Sequence, residues 1–141
     1  HALQVALERF ERSGVIGGDL LGRNARDLGD DCFDVADADL LLAADCVAYS
    51  MGNFHGKYLK GKSLAIACPK LDHGTETYVE KLTAMIETAK INTITIMMME
   101  VPCCGGLMQM VRTALSRASR KVPVKSVIVG IGGNILKEEW I

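Results

Sequence analysis

The stretch NTITIMMMEVPCCGG, Asn92 to Gly106, couples two signals that set the fold class. Its first half is a continuous run of β-branched and long apolar side chains, the pattern of a strand buried on both faces. Its second half breaks that run with Pro102 and then Gly105 and Gly106, the punctuation of a sharp turn into a helix. Between the two stand adjacent cysteines, Cys103 and Cys104, in a chain that has five.

Three other runs share the character of the first half: ADLLLAADC at 38–46, KSLAIACP at 62–69 and VKSVIVGIGG at 124–133, each closed by Cys, Pro or Gly. Helical periodicity fills the longer gaps. Between the second and third runs, Val79, Leu82, Met85, Ile86 and Ala89 mark one helix face, and Thr77 and Glu80 have capping-box spacing. After Gly106 a second face runs through Leu107, Met110, Val111, Ala114, Leu115 and Ala118, with Arg112, Arg117 and Arg120 on the wet side. The connection after the first run, VAYSMGNFHGKYLKG, is short and glycine-bearing, so a loop with one helical turn is expected there.

Buried strands alternating with crossovers imply right-handed βαβ units. The expected fold is α/β: a three-layer sandwich with a mainly parallel sheet of at least four strands, near Leu40, Ala65, Ile94 and Ile128, similar to the Rossmann and flavodoxin folds. Toward the N-terminus, Leu3, Leu7 and Phe10 have helical spacing and Gly14 is a stop. Residues 15–37 mix Gly, Asp and Arg without sustained apolar positions. The expected organisation is an N-terminal helix and loop or linker over 1–37, then an α/β cysteine-rich domain over 38–141. The first residue is His1, as expected of a processed chain or a piece of a longer one.

Composition excludes several classes of function. The 141 residues are enough for one self-sufficient core. A formal charge of -1 provides no positive field to attract nucleic acid or acidic lipid, and 5% aromatic content argues against stacking platforms for bases. No apolar run reaches the roughly 18 to 20 residues that span a bilayer. A soluble, cytoplasmic protein without nucleic-acid or membrane partners is expected. Five cysteines, an odd number, fit poorly with a disulfide framework and direct attention to metal or thiol chemistry.

The strand pattern places those cysteines. Cys46 closes the first strand, Cys68 the second, and Cys103 and Cys104 follow the third, so four of five map to the carboxyl edge, where open parallel sheets bind ligands. If the Leu40 strand lies between the Ala65 and Ile94 strands, the order is 2-1-3-4. Three neighbouring strand ends then span only about 10 Å, and all four sulfurs face one crevice. Cys32, in the acidic DDCFD loop, stands apart as a spare thiol. A helix N-terminus beside Cys103 and Cys104 favours thiolate, and Gly105 and Gly106 let backbone amides approach sulfur. The tight C-x-x-C pairs typical of zinc sites are absent. The residues leave three functions open: an iron-sulfur redox domain with Cys46, Cys68, Cys103 and Cys104 as ligands, a thiol or dithiol redox enzyme using Cys103 or Cys104, and a metal-free module that binds a ligand or partner at the strand edge.

The segments ADLLLAADCVAY, NFH, YLKGKSLAIACPKLD and MEVPCCGGL resemble the C-terminal domain of bacterial and archaeal ferredoxin-type 4Fe-4S binding proteins, over about Ala38 to Ile131. CPKLD and EVPCCGG are the most specific parts. The resemblance implies a redox setting, a 4Fe-4S cluster and a ferredoxin-type module or protein as electron partner. The C-x-x-C-x-x-C-x-x-x-C-P runs that carry that family's ferredoxin clusters do not occur in this chain. A weaker similarity links Cys68 and the PCCG segment to the cysteine-rich CCG domain of heterodisulfide reductases, which implies Cys68, Cys103 and Cys104 as cluster ligands. The downstream C-x-x-C of that domain is missing.

Around the thiols, His55 in GNFHGKY and Lys70 and Asp72 after Cys68 are candidates to support the site with a proton or charge, and His73 is a weaker one. The Gly-rich GIGGN, Gly130 to Asn134, lacks the complete dinucleotide fingerprint. Its glycines are expected to let the fourth strand pass close to whatever the cysteines hold.

Overall fold

The computed structural model describes residues 36–141 together with the backbone of Val15–Ile16. The helix expected over the first fourteen residues and Cys32 lie outside the described residues.

Each apolar run forms a strand. β1 (Val15–Ile16), β2 (Asp39–Ala44), β3 (Ser63–Ala67), β4 (Thr93–Met99), β5 (Val124–Val129) and β6 (Ile135–Trp140) make a six-stranded sheet in the order β1-β3-β2-β4-β5-β6. Pairing is parallel from β1 through β5 and antiparallel between β5 and β6. The expected order 2-1-3-4 is thus the order of β3, β2, β4 and β5. Leu40, Leu41 and Ala43 in β2, and Ile94, Ile96 and Met97 in β4, are fully buried. Adjacent positions point to opposite faces, so both faces of the central strands are covered. Burying one such large apolar side chain stabilises the fold by about 1.5–3 kcal/mol.

The helices supply the cover. α1 (Val47–Ser50) is a single turn after β2, followed by a π-helical turn over Phe54–Leu59. α2 (Thr75–Glu87) joins β3 to β4, and α3 (Gly105–Arg117) joins β4 to β5. The chain moves one way across the sheet from β2 to β3 and the other way from β3 to β4 and β4 to β5. Right-handed crossovers therefore lay α2 and α3 side by side on one face, where they pack on each other, and send α1 and the π turn to the opposite face.

Four local expectations are corrected. α2 starts at Thr75, two residues before Thr77, because Gly74 at φ 75 turns the chain into the helix and no side chain caps it. Thr77 instead donates its backbone N-H to the Gly74 carbonyl. Arg120 does not point to water: it bonds the Ile86 and Ile91 carbonyls at 3.4 and 2.7 Å and ties the end of α2 to the segment after α3. GIGGN is a turn into β6, an edge strand that the charged segment ILKEEW hides from a periodicity reading, and Val15–Ile16 is a strand within residues read as loop.

Candidate functional site

Because β2, β3 and β4 are parallel neighbours, the residues after their last positions share one edge. Cys46 follows β2 by two residues and is exposed. Cys68 directly follows β3 and is half-buried. After β4 the chain makes a 3₁₀ turn over Pro102–Cys104, with Cys103 exposed and Cys104 only 3% exposed, at the entrance to α3. All four thiols are free.

Glycine contacts draw these loops together. A Cβ on Gly106 would lie 2.5 Å from the Pro69 Cβ, so the bare face of Gly106 is where the Cys68–Pro69 loop docks on the first turn of α3. Gly133, at φ +84, approaches so closely that a Cβ there would lie 2.1 Å from the Ser50 carbonyl oxygen at the end of α1. The β5–β6 turn is thereby pressed against the short helix that starts beside Cys46. Gly105 meets nothing within 4 Å. The Cβ side of Gly106 is thus taken by Pro69, whereas that of Gly105 is open.

The electrostatics divide the thiols. Burial pushes the Cys104 thiol up to about 11; a backbone hydrogen bond from Met99 opposes this, while the neighbouring Cys46 and Cys103 raise it further. Proximity to a helix N-terminus does not win here, because losing water costs the thiolate more than the short dipole returns. Cys46 and Cys103 thus both lie within electrostatic reach of Cys104.

Cys68 faces an acidic neighbourhood. Its backbone N-H donates to Asp72 Oδ2 at 2.7 Å, and the Tyr78 hydroxyl donates to the same oxygen at 2.9 Å. The Cys68 carbonyl accepts from the Leu71 and Asp72 N-H groups, closing the loop on itself. Tyr78 is held far above its ordinary pKa by burial first, then by its bond to Asp72, and then by the charges of Asp72, Asp45 and Cys68. Burial and then Asp72 raise the Asp45 carboxyl. Asp45 immediately precedes Cys46, so this acidic set joins the two strand ends.

Of the other candidates, Asp72 holds the Cys68 loop, whereas Lys70 is exposed on that loop and His73 is exposed before Gly74. His55 lies in the π turn, its ring edge-on to Phe54 at 5.3 Å between centroids. Tyr78 and Asp45 are the members of this edge that motif reading did not find. Both are one step from a cysteine-bearing strand end in space, and only Asp45 is adjacent in sequence.

Among the described residues, no three His, Cys, Asp or Glu side chains stand close enough together to hold one metal ion. Single-ion geometry therefore does not describe the thiol edge. The donor chemistry, four thiols after three adjacent strands, still fits a multi-iron cluster, in which thiolates ligate separate irons and need not crowd one centre.

A family model for a Rossmann-like domain matches residues 34–141, and the chain belongs to that family. No curated protein and no solved structure matches the chain. Among the described residues, no helix is long and apolar enough to cross a membrane.

Proposed function

We propose that this Rossmann-like domain is a redox module that works through the thiols at the carboxyl edge of its sheet. Cys46, Cys68, Cys103 and Cys104 would hold an iron-sulfur cluster, 4Fe-4S by the resemblance. The observation that carries the reading is that three neighbouring parallel strands each deliver thiols to one edge, with Cys104 in electrostatic reach of both Cys46 and Cys103. A bound cluster supplies reversible one-electron storage. The chain's own residues supply the setting: Asp72 fixes the Cys68 backbone, Gly106 lets that loop dock beside Cys103 and Cys104, and Leu107 anchors α3 in the core.

The electron partner would be a ferredoxin-type module or protein. Tyr49 in α1 after Cys46, Leu71 after Cys68 and Ile131 after β5 are all large, apolar and more than two-thirds exposed, in segments that follow the carboxyl ends of three strands. Such a set favours a protein surface as partner.

Anaerobic purification followed by iron and acid-labile sulfide analysis tests the proposal. Wild type is expected to contain both in equal amounts, and Cys68→Ser and Cys104→Ser are expected to lose most of them with unchanged far-UV circular dichroism. Wild type that takes up neither under anaerobic reconstitution would overturn the cluster reading in favour of dithiol chemistry at Cys103 and Cys104. Thiol counts with and without oxidant would then measure that chemistry.

A further inference from the structure

The thiols occupy one end of the sheet, and a separate cleft opens at the other. Asp39 and Thr93 are the first residues of β2 and β4, and Lys125 is the second of β5. With Tyr58 of the π turn and Glu138 and Trp140 of β6, they line a cleft of about 290 Å³ on the face opposite α2 and α3. That volume is at the small end of ligand sites, enough for one ring system and its substituent.

The charges in the cleft are not equally committed. Asp39 accepts from the Thr93 hydroxyl at 2.7 Å, and Glu138 is paired with Lys125. Lys62 donates its ammonium to the Tyr58 carbonyl at 3.0 Å. Lys57 rests 5.2 Å from the centroid of the Tyr58 ring, a cation-π contact that leaves its ammonium donors available. Three lysines line the cleft against two carboxylates, so the lining carries a net positive charge.

Two further features narrow the guest. Tyr58 is 6% exposed, and its buried hydroxyl has no hydrogen-bond partner among the described residues. An orphaned buried hydroxyl is costly unless something accepts from it. Trp140, at the rim, has Lys125 5.6 Å from its ring centroid yet keeps 61% exposure, leaving a flat apolar wall available for stacking.

We propose that this cleft binds a small planar aromatic carboxylate. The ring lies against Trp140, and the carboxylate accepts from the Tyr58 hydroxyl and the Lys57 ammonium. A two-oxygen acceptor answers two donors, and a single negative charge answers the one lysine in excess of the carboxylates. The site is independent of the thiol edge and of whatever that edge holds.

Trp140 is the only tryptophan of the chain and reports on the cleft directly. The experiment is a fluorescence titration of the full chain with benzoate, repeated with benzamide as its uncharged counterpart. A saturable change in emission is expected with benzoate, at least about tenfold weaker with benzamide and in both Tyr58→Phe and Lys57→Ala, as expected for loss of a charge-assisted hydrogen bond. Lys57 is exposed, and Tyr58→Phe removes only an unpaired hydroxyl, so both variants are expected to fold. No saturable response to benzoate, an equal response to benzamide, or unchanged affinity in both variants would each overturn the proposal.

Discussion

The two ends of one sheet are built by different means. At the carboxyl end the loops are locked by backbone: Gly106 against Pro69, Gly133 against the Ser50 carbonyl, and the Cys68 N-H on Asp72. At the amino end the cleft is framed by long side chains, with Lys125 bridging to Glu138 and Lys62 reaching the Tyr58 carbonyl. Backbone contacts fix positions to fractions of an ångström and tolerate little change. Charged side chains at a wet surface rearrange and are individually worth little. The difference teaches where this chain needs geometry and where it needs adaptability: the thiols are held, and the opposite cleft is left able to adjust.

Gly133→Ala should show the largest effect. The new Cβ meets a carbonyl oxygen at 2.1 Å and the residue sits at φ +84, so the substitution carries both a backbone clash and left-handed strain. A loss of about 3 kcal/mol or more in urea denaturation is expected. A loss below about 1 kcal/mol would mean that the carboxyl end yields as readily as the amino end and would break the comparison.

The next effect is on ionisation. Cys104 is an acid whose folded pKa, about 11, lies above its ordinary 9.0. Between those values the unfolded chain releases the proton while the folded chain keeps it, so the folded state binds more protons and stability falls as pH rises. The contribution is fully present below pH 9 and declines between pH 9 and 11, by on the order of 2 kcal/mol. Denaturation of the metal-free protein at pH 8 and pH 10.5, compared with Cys104→Ser, isolates it. A Cys104→Ser variant with the same pH dependence as wild type would show that the thiol is not held in a dry site.

Gly106→Ala and Gly105→Ala make a paired test one residue apart. A Cβ at 106 displaces the Pro69 ring and should cost about 1–3 kcal/mol as overpacking. A Cβ at 105 enters open space at the start of α3 and should be neutral or gain a few tenths of a kcal/mol from helix propensity. Equal effects at the two positions would remove the Gly106–Pro69 contact as the clamp between the Cys68 and Cys104 loops.

How much of this was legible in sequence follows the same division. The order of β3, β2, β4 and β5 and the shared edge of Cys46, Cys68, Cys103 and Cys104 follow from runs such as ADLLLAADC and NTITIMMMEVP, because a strand buried on both faces has a local signature. β6 has none: all but one residue of ILKEEW is exposed, and its pairing with β5 follows a Gly-rich turn with no alternating pattern behind it. The capping box at Thr77 was a plausible local signal that the left-handed Gly74 overrode two residues earlier. The raised pKa of Cys104 was illegible because burial is tertiary, whereas the helix N-terminus is written locally in PCCGG. The cleft was illegible for a related reason, since its walls come from β2, the π turn, β4, β5 and β6.

The smallest effect is expected at the amino end, and it sharpens the comparison by its size. Lys125 and Glu138 pair diagonally across the antiparallel β5–β6 ladder, two residues off register, with both side chains in partial contact with water. Solvent screens such a pair, and holding two long side chains together costs rotamer entropy, so Glu138→Gln should change stability by no more than about 0.5 kcal/mol. The charge should matter more to what enters the cleft than to the fold. Without the Glu138 carboxylate, Lys125 loses its partner beside Trp140 and the lining gains net positive charge, so benzoate affinity should rise while benzamide binding stays flat. Thermal melts of wild type and Glu138→Gln at low and at high salt give the stability change, and the Trp140 titration gives the binding change. A stability loss rivalling that of Gly106→Ala would place a structural clamp at the amino end as well and erase the contrast between the two ends of the sheet.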